Sequence, residues 1–261
     1  MTGVSTAMAR TPIAAAALVA AFALPAAAQD LRICVEGAYP PFSQVSDAGE
    51  LEGFDIDIAK ALCAEMGASC EMVQTEWDAI IPTLEEGKCD AILASMSITE
   101  ERKQRIDFTG KYYQTAASFV APEGFDAEIT DAGLAGKTVC VQRGSIHQAF
   151  IEGEFPSASL VLYPTQDEVY LDLTSGRCDA AMQDSIAAQD GFLNTPAGEG
   201  FAFVGPAYSV PRYHGEGAGI GVRKSDTELR DRLSAAILAI RESGVYKEIN
   251  DAYFPFDVYD G

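Results

Sequence analysis

The chain carries little positive charge: 18 Lys and Arg stand against 39 Asp and Glu in 261 residues, a net charge of −21 with a pI near 4.3. Nucleic-acid binding draws on a basic footprint that releases counterions, so this deficit, with no cluster of Lys or Arg, excludes that class. Histidine is scarce, at two residues, and none of the six cysteines has CxxC spacing, which excludes an ordinary structural zinc site. A dinucleotide fingerprint is missing as well. Gly215-Glu216-Gly217-Ala218-Gly219-Ile220-Gly221 has the spacing G-x-G-x-G and enters a strand pattern rather than a helix, so flexible backbone near a hinge or close strand packing explains it better. No cofactor is called for. What is present is a hydrophobic fraction of 48%, with Leu, Ile, Val and Phe spread along the chain, enough for a globular core and too much for disorder.

Residues 1–28 read as a secretory signal peptide: a polar start with Arg10, an apolar stretch from Ile13 to Leu24, and Pro25-Ala26-Ala27-Ala28 as the cleavage site before Gln29. The apolar stretch is about half of the roughly 20 residues a membrane span needs, and no other stretch of the chain is long enough. Removal of this segment, which holds one Arg and no acid, leaves 17 basic against 39 acidic residues, a charge of −22.

Export to an oxidising compartment makes disulfides the first reading of six cysteines. The pattern from Phe54 to Met66 is an amphipathic helix stopped by Gly67, which lets Cys63 meet Cys70 as the chain turns into a strand. An internal repeat suggests the rest. Leu84-Glu85-Glu86-Gly87-Lys88-Cys89-Asp90-Ala91-Ile92 matches Leu173-Thr174-Ser175-Gly176-Arg177-Cys178-Asp179-Ala180-Ala181 at an offset of 89 residues. Each copy follows a buried strand with a cysteine, Ile33-Cys34-Val35 or Val139-Cys140-Val141. Two α/β lobes are implied, with bridges Cys34–Cys89 and Cys140–Cys178 between neighbouring parallel strands.

Strands alternating with helices predict doubly wound parallel sheets, which bind ligands beyond the carboxyl ends of their strands. In the first half that end is Ala94-Ser95-Met96-Ser97, in the second Gln183-Asp184-Ser185. Ser97-Ile98-Thr99-Glu100 fits a capping box, so a helix is expected to start there with anion-attracting N–H groups. Arg102 in its first turn offers a planar fork for a carboxylate, and Asp184 from the other half a partner for an ammonium. One cation facing one anion across a cleft suits an α-amino acid. Tyr39, in Glu36-Gly37-Ala38-Tyr39-Pro40-Pro41-Phe42, and Trp77 at the start of a helix add aromatic faces, with Glu36 beside them for a cationic side chain. Near the end, Ser225-Asp226-Thr227-Glu228 is a second capping box, opening a helix with Leu229, Leu233, Ile237 and Ile240 on its core face and Gly244 at its end.

These residues, together with Gly53-Phe54-Asp55-Ile56-Asp57, Trp77-Asp78-Ala79-Ile80-Ile81-Pro82, the segment 95–102, Gly136-Lys137-Thr138-Val139, Gly144-Ser145-Ile146-His147-Gln148, the segment 171–177, Gln183-Asp184 and the closing Phe256-Asp257-Val258-Tyr259, resemble a known family. It is the periplasmic solute-binding proteins of polar and basic amino acid ABC transporters, close to the lysine/arginine/ornithine-, histidine- and arginine-binding members. The resemblance implies a type II-like periplasmic binding protein fold, α/β, with two doubly wound lobes joined by a two-segment hinge. Lobe 1 would comprise residues 29–114 and 219–261, and lobe 2 residues 115–218, with the hinge crossings at its ends. It implies that Arg102 with the main chain of Ser97 and Ile146 holds the ligand carboxylate. Asp184, the Ser97 hydroxyl and the Ser95 carbonyl would take the α-ammonium. Tyr39 and Trp77 would sandwich the side chain, with Glu36 at its tip and Asp55 and His147 nearby. The family also has a bridge matching Cys63–Cys70, whereas the other two are not general to it. This chain departs from close relatives at Ala94, where one has a ligand-contacting Ser, and at Ile146, which replaces a Thr.

The implied role is capture of an amino acid, preferably a basic one such as arginine, ornithine, lysine or histidine or an opine-like derivative, by a periplasmic monomer that delivers it to a membrane permease. Two other roles share the fold: an enzyme, as in a cyclohexadienyl dehydratase, and a sensor subunit for a membrane receptor. The sequence offers no G-x-S-x-G elbow or metal spacing for the first, and the second would use the same site.

Overall fold

A computed structural model describes residues 1–3 and 30–260; the expected cleavage site and most of the expected signal peptide lie outside the described residues. The first half of the chain runs β1 (Asp30–Val35), a small antiparallel sheet of β2 (Ala38–Tyr39), β3 (Ser43–Val45) and β4 (Leu51–Glu52), then α1 (Phe54–Glu65), β5 (Ser69–Gln74), α2 (Trp77–Glu85), β6 (Ala91–Ile92), α3 (Glu100–Lys103) and β7 (Asp107–Tyr113). The second half follows with β8 (Ala117–Pro122), β9 (Thr138–Gln142), α4 (Ile146–Glu154), β10 (Ser159–Tyr163), α5 (Gln166–Thr174), β11 (Ala180–Asp184), α6 (Ser185–Ala188), β12 (Phe201–Tyr208) and α7 (Pro211–His214). The chain then returns through β13 (Ala218–Val222), α8 (Thr227–Glu242) and α9 (Val245–Tyr253).

Two five-stranded sheets result, ordered β5-β1-β6-β13-β7 and β10-β9-β11-β8-β12. Each buries both faces, as doubly wound sheets do: Leu31, Ile33, Val35 and Phe54 pack on one side of the first sheet, and Cys34, Ile80 and Ile92 on the other. The sheets are mixed rather than parallel. The strand that returns from the other lobe, β13, runs against β6 and β7, and the strand that enters the second lobe, β8, runs against β11 and β12. A chain that leaves a lobe and comes back must travel against its direction of departure, so each lobe gains one reversed strand.

Local signals explain the element ends. Gly67, at φ 62°, ends α1 with paired bonds from Gly67 N–H to Ala64 and from Ala68 N–H to Cys63, the two bonds of a Schellman turn. That turn brings Cys63 to Cys70, with Cα atoms 6.1 Å apart. Cys34 is bonded to Cys89 and Cys140 to Cys178, and the described chain holds no free cysteine. Cys89 and Cys178 do not lie in strands; each sits in the turn that enters β6 or β11.

Both expected capping boxes are displaced. Residues 96–98 pair in extended form with residues 217–219, through Ile98 N–H to Gly217, Gly219 N–H to Met96 and a bridge from Ser97 to Ala218. Ser97 therefore cannot cap a helix, and Thr99 caps the single turn of α3 by accepting from Arg102 N–H. The cap of α8 is Asp226, not Ser225, and its carboxylate is engaged by Arg223 at 2.6 Å. The glycine-rich run serves close packing: Gly215, at φ 69°, lies where a Cβ would come within 2.0 Å of the Ile98 carbonyl.

Candidate functional site

The carboxyl ends of β1, β6, β9 and β11 open on one cleft between the sheets. Of the ten residues singled out in the sequence, Glu36, Tyr39, Trp77, Ser95, Ser97 and Arg102 line it from the first lobe, and Ile146, His147 and Asp184 from the second. Asp55 does not. It is wholly buried at the start of α1, behind Ser95, and accepts from the Ser95 hydroxyl at 2.9 Å and the Tyr112 hydroxyl at 2.8 Å. Burial pushes its carboxyl up to about 7. Ser95 has φ 53°, a strained value for a residue with a side chain, and Asp55 and Tyr112, whose hydroxyl also accepts the Ser95 N–H, hold it there. Asp55 thus shapes the cleft wall through Ser95.

Arg102 projects from α3 between the lobes. Its guanidinium donates to the Ser97 carbonyl at 3.0 Å and, across the cleft, to the Gly144 carbonyl at 3.3 Å. It also lies 5.2 Å from the centre of the Trp77 ring, so that ring face, expected to receive a ligand side chain, is covered by Arg102. Both hydrogen bonds use neutral carbonyls, and no described carboxylate pairs with it. Burial lowers its pKa to about 10, which leaves it charged at neutral pH.

Asp184 ends β11 and caps α6, accepting the N–H groups of Ile186 at 2.8 Å and Ala187 at 3.2 Å on one oxygen and the Thr115 hydroxyl on the other. The cap fixes the orientation of the carboxylate, while burial raises its pKa to about 6. No described cation reaches it. Glu36, 6% exposed at the end of β1, accepts from Gln142 Nε2 at 2.6 Å across the cleft. Burial, with added repulsion from Asp167 and Asp78, raises its carboxyl to about 7. It too lacks a cationic partner among the described residues.

His147, near the start of α4, is 6% exposed and its Nδ1 has no hydrogen-bond partner among the described residues. Burial, then His214 and Arg102, depress its pKa to about 3. The His214 ring centre lies 6.3 Å away. At the mouth, Arg143 pairs with Asp78 of the other lobe at 2.6 Å.

Gln142, Thr115 and His214 also line the cleft and were not singled out as site residues. The strand-end rule reaches Gln142, which ends β9 as Asp184 ends β11. Thr115 and His214 lie at the crossings between lobes, where no periodic pattern marks them.

The profile of the bacterial extracellular solute-binding proteins, family 3, matches residues 31–256. The L-arginine-binding protein of Pseudomonas aeruginosa is 50% identical over 236 residues, 90% of this chain and 91% of that protein. The histidine-binding periplasmic protein of Salmonella typhimurium is 43% identical over 244 residues, 93% of each. Among solved structures, a periplasmic His/Glu/Gln/Arg/opine family-binding protein from Silicibacter pomeroyi in complex with lysine has a TM-score of 0.78 at 36% identity, covering 87% of this chain and 98% of that one.

Proposed function

The chain belongs to the bacterial extracellular solute-binding proteins, family 3, and we propose that it captures a basic L-amino acid in the periplasm by lobe closure and delivers it to the permease of an ABC importer. Its fold is the type II-like periplasmic binding protein fold, two doubly wound lobes with two crossings between them. The relatives described above are named as binding proteins for arginine and histidine, and the solved relative holds lysine. None of them is named as an enzyme.

One observation carries the choice of ligand. Among the described residues, one cation and two carboxylates line the cleft without an ionic partner: Arg102, Asp184 and Glu36. Buried charges are stable only when paired. A ligand that completes the set must bring one anion and two cations, as the α-carboxylate, α-ammonium and charged side chain of a basic amino acid do. In this reading the carboxylate meets Arg102 and the main chain of Ser97 and Ile146. The ammonium meets Asp184, the Ser97 hydroxyl and the Ser95 carbonyl. The side chain runs past Tyr39 toward Glu36. The lobe that supplies Arg102 would comprise about residues 30–114 and 219–260, and the segment between them the lobe that closes on it, in a monomer. A ligand buried from both sides enters only if the lobes part, so the closed cleft implies hinge motion at the crossings near Thr115 and Gly215.

The test uses Trp77, the single tryptophan. Protein stripped of ligand by unfolding and refolding with its disulfides intact is titrated with arginine, ornithine, lysine, histidine, glutamine and glutamate while fluorescence is followed. Saturable change with a basic amino acid at the lowest concentration supports the proposal; tighter binding of a neutral or acidic one overturns the reading of Glu36.

A further inference from the structure

Three successive residues at the end of β9 each reach the opposite lobe: Gln142 donates to Glu36, Arg143 donates to Asp78, and the Gly144 carbonyl accepts from Arg102. Their own lobe holds all three in place. Arg143 N–H donates to the Tyr163 carbonyl at 2.8 Å, Gly144 N–H to Gln148 Oε1 at 2.8 Å, and Gln142 Nε2 also to the Pro164 carbonyl at 3.2 Å. Gly144, at φ 69°, lies where a Cβ would be 3.6 Å from Trp77 Nε1 and 3.8 Å from Asp78 Oδ1, so this turn rests against the start of α2. Two of the three contacts use Glu36 and Arg102, groups that a ligand would engage. The third stands apart from the ligand. Neither Arg143 nor Asp78 lines the cleft; they pair at its mouth, with Nε at 2.7 Å and Nη2 at 2.6 Å from one Asp78 oxygen. Asp78 lies in the first turn of α2, where the helix dipole favours a carboxylate. Charge makes the pair more telling. Residues 115–218 carry four Lys and Arg against 14 Asp and Glu, and the rest of the chain from residue 29 carries 13 against 25, so closure brings two negative bodies together. Arg143 sets one of the few cations of its lobe on an acid of the other.

We propose that the Arg143–Asp78 pair is a clasp across the cleft mouth, which holds the lobes closed without touching the ligand and so slows release of every accepted amino acid by the same factor. This rests on the cleft binding an amino acid by lobe closure. An enclosed ligand leaves only when the lobes part, and parting breaks the pair, so its contribution falls on the rate of release rather than on capture. Both side chains are partly exposed, 49% for Arg143 and 38% for Asp78. That exposure sets the scale at roughly two- to fivefold and makes the effect sensitive to salt. Asp78 also adds to the negative field at Glu36, so its loss alone would act on a cationic ligand directly. Arg143 therefore carries the test.

Release of the two tightest-binding amino acids, each isotope-labelled and chased with excess unlabelled ligand, is timed in the unmodified chain, Arg143→Ala, Asp78→Asn and the double variant. Arg143→Ala is expected to release both ligands roughly two- to fivefold faster at low ionic strength, and by a smaller factor in about 1 M salt. On the Asp78→Asn background the same substitution should change nothing further. Unaltered release in Arg143→Ala overturns the proposal. So does a factor that differs between the ligands, which would make Arg143 a ligand-contacting group, or one that persists in Asp78→Asn, which would give Arg143 another partner. Should Asp78→Asn disturb α2, Arg143→Glu keeps the test, since two acids facing each other should release ligand faster than Arg143→Ala, and a rate no faster overturns the clasp. Failure of the unmodified protein to bind any amino acid would instead remove the reading of the cleft itself, before any release is compared.

Discussion

Gln142 and Glu36 join the two lobes through one buried hydrogen bond, Nε2 to Oε1 at 2.6 Å. The bond neutralises nothing. It orients the Glu36 carboxylate while leaving its charge uncompensated, with Asp167 and Asp78 adding to the negative field. Glu36→Gln keeps the shape and removes that charge. The variant is expected to lose roughly 2 kcal/mol or more of arginine binding, the scale of a broken buried charge pair, while citrulline, the neutral isostere, stays close to its original affinity. Calorimetry with both ligands checks it, and equal losses would dissociate Glu36 from the ligand's charge.

Arg102 carries the opposite expectation. Among the described residues its guanidinium donates to two carbonyls and lies over the Trp77 ring, with no carboxylate bonded to it, so a ligand carboxylate would be its bonded anionic partner. Arg102→Ala is expected to cost roughly 2–5 kcal/mol in binding, because the carboxylate would be buried unpaired. Arg102→Lys keeps a charge without the fork and should fall between the two. Affinity for amino acids unchanged in Arg102→Ala would remove the carboxylate assignment.

Much of this site was legible because it sits at strand ends, where a repeat and a fold rule identify positions directly. Ser95, Ser97 and Asp184 follow buried strands in equivalent places of the two halves, and Cys34, Cys89, Cys140 and Cys178 repeat with the same symmetry. What could not be read were effects of distant chain segments. The return of residues 217–219 converts Ser97 from a helix cap into a strand partner. The burial of Asp55 depends on Tyr112, 57 residues away, which no local pattern around a helix start reveals. The reversed strands β8 and β13 are likewise a consequence of the double crossing, while their own sequences are ordinary buried strands.

The three disulfides should differ in their contribution by the loops they close. Their sequence separations are 55, 38 and 7 residues for Cys34–Cys89, Cys140–Cys178 and Cys63–Cys70. Chain-entropy arguments assign about 4 kcal/mol to each of the two longer loops and about 2 kcal/mol to the short one. Paired Cys→Ser variants unfolded in urea should therefore show the larger loss for either of the Cys34–Cys89 and Cys140–Cys178 bridges. A larger loss for the Cys63–Cys70 pair would contradict that ordering.

Acidity should weaken binding through His147. Its ring is enclosed between Arg102 from the first lobe and His214 from the crossing segment; neither offers a negative charge, and its Nδ1 is unpartnered. In the closed form its pKa lies near 3, whereas a hydrated histidine titrates near 6.5. Above about pH 6.5 the ring is neutral whether the lobes are open or closed, and closure carries no proton penalty. Below that pH the open form takes up a proton that the closed form must expel. Closure then loses about 1.4 kcal/mol, or tenfold in affinity, for each further pH unit. Protonation of Glu36 and Asp184 in the empty cleft acts in the same direction, since a cationic ligand needs both ionised. The two contributions separate in His147→Asn, which keeps a polar side chain and cannot titrate. Its dissociation constant should rise less steeply than that of the unmodified protein between pH 6.5 and 4.5. Parallel profiles would show that His147 keeps its proton on closure, or is neutral in the open form too, and would leave the carboxylates as the source of any acid sensitivity.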